Sequence, residues 1–470
     1  MLDQVTEKFG QWASYWSSRA EQALNEVSIR VAVTGLSRAG KTVFITSLIH
    51  NLLALGQRRN TLPRLHSALS VNGTSRLREV RIAREGSATI PRFDFAGKLA
   101  DLSASKPFWP ARTDDIAQIA LEMEIEWENT LAQKLGPWRL RLELLDYPGE
   151  WLLDLPLLSQ SYRSWSEQTL SLMRKPPRLS VCSEFLQFLT TIDPDAPVDE
   201  AIIRRGHTLY RTALHDCRAR LGLRYLQPGG FLCPGPRGEA PYLWFFPVDH
   251  AREHPSSGTQ VGLLKERFDA YKTNARSQFF DTHFADFDRQ IVLVDVLSAL
   301  HAGREAFEDT ERAIAEIAAH LRYGISWLPF KKAQIRRVAF AATKADHVPT
   351  MRRENLKNLL RAMAERSRPS NSQLPVSYHA IASVLSTVDG TARIEGRPVE
   401  VVMGLPLGEE RQRSFYPGDV PSGRPPESFW SDRFFELPVF APPRIEESGA
   451  IGIPHLAIDE VMIELLKDVL

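Results

Sequence analysis

The passage from Ile29 to Leu55 constrains this 470-residue chain more than any other. Ile29 to Thr34 (IRVAVT) reads as a strand, apolar and rich in β-branched residues, and leads straight into GLSRAGKT, Gly35 to Thr42. Beyond it, Phe44, Leu48, Leu52 and Leu55 recur at helical spacing, and Gly56 supplies a stop. Strand, GxxxxGK(S/T) and helix in that order predict an α/β fold with a phosphate-cradling loop (a P-loop). The glycines let backbone N–H groups curl inward at an anion, and the positive end of the following helix adds to the attraction. Gly35, Ser37, Arg38, Ala39, Gly40, Lys41, Thr42 and Val43 are therefore the candidate phosphate contacts. Lys41 would reach the outer phosphates, and the Thr42 hydroxyl would ligate Mg²⁺. The loop says phosphate; it does not choose the base.

A second signal is DYPG, Asp146 to Gly149. Before it lies an alternating run with Trp138, Leu140, Leu142 and Leu144 on one face and Arg139, Arg141 and Glu143 on the other. Before that comes another, Ile119, Leu121, Met123, Ile125 and Trp127 with Glu122, Glu124 and Glu126 between, and a Gly136-Pro137 turn separates the two. Two such runs predict an antiparallel hairpin. In a hairpin, the start of the first strand and the end of the second share one sheet edge. Thr113, just before the first, can then meet Asp146, just after the second. A switch threonine and an aspartate converging on one Mg²⁺ is what GTP chemistry on a P-loop requires, and Gly149 would donate its N–H to the γ-phosphate. Asp295, at the end of Ile291 to Asp295 (IVLVD), is a rival for the metal. It lacks a glycine three residues on, and we assign Asp146 to magnesium and Asp295 to structure.

The third signal addresses the base. Ile335 to Ala342 (IRRVAFAA) reads as a strand, and TKAD follows as Thr343 to Asp346. The Asp346 carboxylate can accept from N1–H and the 2-amino group of guanine, a donor pair that adenine lacks. Each charge-assisted bond is worth roughly 1.5–3 kcal/mol. The Lys344 stem would cover one face of the base. A further strand, Pro375 to Ile381, gives way to Ala382-Ser383, and the Ser383 backbone is the candidate contact for guanine O6. These residues point to GTP and GDP as ligands, with Mg²⁺.

Composition bears on what surrounds this core. The formal net charge is +1, which gives no field for nucleic acid. Cys182, Cys217 and Cys233 form neither an even disulfide set nor a zinc spacing, and they fit a reducing cytosol. The longest apolar runs are too short to span a bilayer. A cytoplasmic chain is the expectation. One segment qualifies it: from Leu2 to Leu24, Val5, Phe9, Trp12, Trp16, Ala20 and Ala23 extend one helical stripe. The default is a helix packed on the domain that follows. The alternative is an interfacial helix peripheral to the inner membrane, with Trp12 and Trp16 among headgroups.

At finer grain GLSRAGKT, FWPARTDDI (Phe108 to Ile116), LLDYPGEW (Leu144 to Trp151), LVDVLSAL (Leu293 to Leu300), AATKADHV (Ala341 to Val348) and FYPGDVP (Phe415 to Pro421) resemble the bacterial YcjX family. The resemblance implies a Ras-like P-loop GTPase of the translation-factor class, associated with stress. It implies a mostly parallel sheet with one antiparallel hairpin, an α-helical insertion and a β-rich C-terminal insertion. The expected segments are an amphipathic helix over 1–27, core over 28–150, helical insertion over 151–288, core over 289–388, β- and Pro-rich insertion over 389–451, and a closing helix over 452–470. Insertion helices are expected at Leu155 to Met173, Ser180 to Thr191, Glu200 to Leu221 and Val261 to Phe287. A core helix follows at Ala302 to His320, and Pro454 to Leu466 closes the core.

Two residues depart from a generic GTPase. Many place Gln after DxxG to orient water; here it is Glu150, whose charge would repel a γ-phosphate unless it is protonated or turned away. Arg38, fourth in the loop, could deliver its charge between the β- and γ-phosphates as a built-in arginine finger, or could sit exposed on a nearby carboxylate. The leading reading is hydrolysis of Mg²⁺-GTP, with Lys41, Arg38, Glu150 and Thr113 as catalytic candidates. The second is a nucleotide-regulated binding module for a protein partner yet to be identified, with little turnover. A third, an ATP-dependent kinase or ATPase, is opposed by TKAD.

Overall fold

A computed structural model describes residues 26–36, 38–71, 74–84, 89–111, 115–126, 137–235, 238, 240–250, 254–280, 287–322, 335–366, 374–394, 396–431, 437–448 and 451–470. The candidate stripe at Leu2 to Leu24, Ser37 and Thr113 lie outside these residues.

A seven-stranded sheet organises the core. Its strands are β1 (Glu26–Gly35), β2 (Leu77–Ile82), β3 (Ala117–Ile125), β4 (Trp138–Asp146), β5 (Arg289–Val294), β6 (Arg337–Ala342) and β7 (Val376–Ala380), in the spatial order 2-3-4-1-5-6-7. The pairs β4–β1, β1–β5, β5–β6 and β6–β7 are parallel, whereas β3 runs antiparallel to both its neighbours. The expected hairpin of β3 and β4 is present. Edge strand β2 was not foreseen: Leu77, Val80 and Ile82 are too sparse to announce one.

Alternation along the strands divides two cores. Ile29, Val31, Val33, Ile291, Leu293, Ala339 and Ala341 face one side, and there α1 (Lys41–Gly56) buries Phe44, Ile45, Leu48, Leu52 and Leu55. Ala32, Val292, Val294, Val338, Phe340 and Ala342 face the other, where the helices Arg304–Arg322 and Arg353–Glu365 cover them. A period of two in the strands against 3.6 in the helices produces this three-layer sandwich. The closing helix, Ile458–Leu466, joins the α1 side through Val461, Met462 and Leu465. It is shorter than expected because Leu456 bonds Ala382 in both directions (2.9 and 3.1 Å) and Ala457 turns left-handed (φ 56°) before the helix starts. The helix expected from Ala302 to His320 runs over Arg304–Arg322, starting after Gly303 at φ 101°, and a short helix, Val296–His301, precedes it.

The helical insertion has its own aromatic core, including Trp165, Phe185, Tyr210, Phe231, Phe245 and Phe268. Its longer helices are Tyr162–Met173, Leu179–Leu189, Glu200–Arg220 and Gln260–Ala275, with a single turn at Gly229–Leu232. The first begins at Tyr162 rather than Leu155, since Gln160 is extended (φ -91°, ψ 147°) and the Ser161 hydroxyl caps Ser164 N–H (3.2 Å). Residues 149–159 form two 3₁₀ turns instead. The last ends at Ala275 and passes through a π turn over Arg276–Phe280. A three-stranded sheet, Thr387–Ile394, Arg397–Gly404 and Arg413–Phe415, opens the C-terminal insertion, two residues before the expected boundary. Among the described residues no helix is long and apolar enough to cross a membrane.

Candidate functional site

The ends of β1, β4, β5 and β6 all open on one sheet edge, as parallel strands require. From β1 the chain turns through Arg38 (φ 67°) and Gly40 (φ 80°), both left-handed, and enters α1. No neighbour crowds Gly40, so its backbone angle, not space, calls for glycine there. The Lys41 ammonium donates to the Gly35 carbonyl (2.8 Å), which holds it over the loop's mouth. Arg38 is exposed and makes no ion pair among the described residues. Thr42 is buried in the first turn of α1.

Asp146 pairs with Val33 of β1 on one side and with Ala117 of β3 on the other. Its carboxylate, 1% exposed, thus ends beside the strand that feeds the loop. Register also brings the start of β3, and so the chain arriving from 115–116, to the same edge. Gly149 abuts the loop: a Cβ there would lie 2.3 Å from the Gly35 carbonyl oxygen. Only glycine lets the turn after Asp146 approach so closely. Glu150 follows, 5% exposed, with Arg218 Nη1 3.8 Å from its Oε1.

The TKAD turn lies at the end of β6. Lys344 takes φ 60° and donates from Nζ to Asp295 Oδ2 (2.6 Å). Asp295 also accepts from Ser298 N–H (3.1 Å) and Ser298 O–H (2.6 Å), capping Val296–His301. Burial alone would raise its pKa, but the Lys344 charge and the Ser298 bonds outweigh burial and hold it below the ordinary carboxylate value. Asp295 thus fixes Lys344. Asp346, 2% exposed, accepts at Oδ2 from Ser386 N–H (2.9 Å) and Ser386 O–H (2.8 Å). Among the described residues nothing bonds its Oδ1.

The loop, Glu150 and the TKAD turn meet in one cavity of about 620 Å³, whose lining does not include Gly35, Asp146 or Gly149. Arg38 to Val43, Glu150, Lys344, Asp346 and Ser383 line it. Asp295 and Thr343 also line it, but sequence reasoning gave no cavity role to much of the remaining wall. Trp109 and Phe440 close one side, joined by a bond from Trp109 Nε1 to the Phe440 carbonyl (2.7 Å), and His347 stands edge-on to Phe440 at 4.9 Å. Burial pushes the His347 imidazole down from its ordinary value, although Asp346 opposes the shift. Ser386, which aims Asp346, carried no signal, being one serine in a loop. The residues from 437 to 440 come from the β-rich insertion, which therefore walls the cavity.

The donor set fits a nucleoside phosphate: a lysine and a left-handed loop at one end, a buried carboxylate among apolar side chains at the other. It also fits Mg²⁺, which is held by one carboxylate, a hydroxyl and phosphate oxygens rather than by an all-protein cage. Among the described residues no cluster of three or more His, Cys, Asp or Glu side chains is placed to hold a metal.

A family model, that of the YcjX-like family, DUF463, matches residues 29–470. The chain belongs to the YcjX-like family. Two curated relatives bear the name Ras-like GTPase YcjX. The protein of Escherichia coli (strain K12) is 34% identical over 455 residues, covering 94% of this chain and 95% of the relative. That of Shewanella oneidensis is 34% identical over 464 residues, covering 94% of each. The family resemblance and the Ras-like α/β architecture expected of this YcjX-like chain both hold.

Proposed function

We propose that this YcjX-like chain binds GTP and, with Mg²⁺, hydrolyses it slowly to GDP as a switch. The observation that carries the reading is Asp346 lining the same cavity as the loop from Arg38 to Val43. A molecule reaching both must present hydrogen-bond donors, as a guanine edge does, at one end and phosphates at the other. The relatives' name, Ras-like GTPase, supports the same base. A stress-linked setting comes from the family resemblance alone.

The roles follow from position. Asp346 would accept from the guanine edge, Lys344 would lie along the base while Asp295 restrains it, and Ser383 would offer its backbone to O6. The N–H groups of Ala39 to Val43 and the Lys41 ammonium would bind the β- and γ-phosphates. Thr42 and Asp146 would hold Mg²⁺, which supplies positive charge to the outer phosphates; Thr113 joins them on sequence grounds only. Arg38, exposed on the cavity without a carboxylate partner among the described residues, is available to stabilise charge developing on the bridging oxygen. Glu150 is the candidate that orients water.

Competition of GTP and ATP for the purified chain tests the base; equal competition ends the reading. Arg38→Ala should slow single-turnover hydrolysis about a hundredfold, the scale of one lost donor to a developing anion. An unchanged rate removes Arg38 from catalysis. Tight GTP binding with no detectable turnover would favour the nucleotide-regulated binding module.

A further inference from the structure

Glu150 poses a chemical problem that the proposed function leaves open. It lines the cavity with Lys41 and Thr42 and directly follows Gly149, which touches the loop. An ionised carboxylate in that place repels a γ-phosphate, and a buried one is itself costly unless paired.

The helical insertion supplies the pairing. Arg218, in the last turn of Glu200–Arg220, is the one cation within ion-pair distance of Glu150 among the described residues, at 3.8 Å. Its Nη1 is buried and makes no hydrogen bond, while Nη2 meets His215 Nδ1 at 3.2 Å. Glu150, Asp295, Arg38 and Arg218 all act electrostatically on Arg224, so three guanidiniums share this region with two carboxylates. One of those carboxylates, Asp295, already holds Lys344. The insertion also fixes the backbone around Glu150. A Cβ on Gly229 would lie 1.9 Å from the Glu150 carbonyl oxygen. Asp154 accepts from Gly229 N–H (2.7 Å) and Gly230 N–H (3.2 Å), and Trp151 Nε1 donates to the Cys233 carbonyl (2.8 Å). The turn that would contact a γ-phosphate is gripped by the same insertion that carries Arg218.

We propose that Arg218 is a positioning residue for the third phosphate: it draws the Glu150 carboxylate toward the insertion and offsets its charge, so that a γ-phosphate can rest against Gly149. The proposal rests on the GTP-binding reading. It gives the insertion a defined task, to make the cavity tolerate a triphosphate, and it makes the Glu150–Arg218 pair the point where the third phosphate and the insertion sense each other.

The test compares affinities of the whole chain for GDP and for a non-hydrolysable GTP analogue, both with Mg²⁺. Arg218→Ala should lower the analogue-to-GDP affinity ratio about tenfold, the scale of one partly screened charge interaction. GDP affinity should be unchanged, which also shows that the variant folds. Arg218→Lys should recover part of the ratio. Glu150→Gln introduced into Arg218→Ala should restore it, because the charge that needed offsetting is gone; a purely structural arginine would not be rescued in this way. An unchanged ratio, equal loss for both nucleotides, or no rescue by Glu150→Gln overturns the proposal. Failure of the unaltered chain to bind either guanine nucleotide overturns the GTP reading itself and this inference with it.

Discussion

At the scale of single residues, Asp346 shows how a neighbour sets the meaning of a carboxylate. Ser386 presents two donors to Oδ2, so a side chain at 346 must turn an acceptor toward Ser386 and its other atom toward the ligand. In Asp346→Asn the amide oxygen would stay with Ser386 and the NH₂ would face the base. Guanine presents donors there and would be rejected, by about 10²-fold if two bonds of this class are lost. Xanthine, with a carbonyl where guanine has its amine, should gain. Equilibrium binding of GTP and XTP to this variant checks both directions. Lys41→Ala should abolish tight binding of either nucleotide, read in the same assay, since it removes the ammonium proposed to bind the outer phosphates. Asp346 and Lys41 were legible because their motifs are short and local. Ser386, Trp109, Phe440 and Arg218 were not: each owes its place to packing between segments far apart in sequence.

At the scale of elements, periodicity was a good guide where one face is buried. The β3–β4 hairpin pairs Glu122 with Arg141 and Glu124 with Arg139 on its polar face, and ion pairs at 3.2 and 3.3 Å join them. Its apolar face is the inner wall of the core, so alternation announced it in advance. The helix Arg353–Glu365 carried an equally clear stripe, Leu356, Leu359, Leu360, Met363 and Ala364, which the motif-led reading passed over. Residues 155–161 read as the start of the helix because apolar spacing alone does not register the extended Gln160 and the Ser161 cap that set its true beginning. The grip of the insertion on the turns at 149–159 gives a prediction of its own. Gly229→Ala must displace either the Glu150 carbonyl or Gly229–Leu232, at a cost of about 1–3 kcal/mol for overpacking. Urea denaturation should show that loss, and the displaced turn should bind the GTP analogue less well relative to GDP. Unchanged stability would mean that the contact relaxes freely.

At the scale of the whole molecule, two buried histidines tie stability to acidity. Burial lowers His207 and His379 from 6.5 to about 4. Both are neutral in the folded chain at pH 7, and unfolding lets them take up protons more readily. Their contribution is therefore complete above about pH 6.5 and is lost as pH falls toward 4, by up to about 1.4 kcal/mol per pH unit for each. Melting temperature should drop between pH 7 and pH 5, and His379→Gln should flatten that drop. An equal drop in that variant would place the acid sensitivity elsewhere.

The route of the chain across the sheet has one more consequence. Asn51, in the helix that follows the phosphate loop, exchanges two hydrogen bonds with Ile453 across 402 residues, and the segment there pins the Ala382 loop on the far side of the cavity. A ribosome must therefore have passed residue 453 before the two walls can meet. A nascent chain that stops short of residue 453 carries the loop with that wall still missing, so the cavity closes late in synthesis.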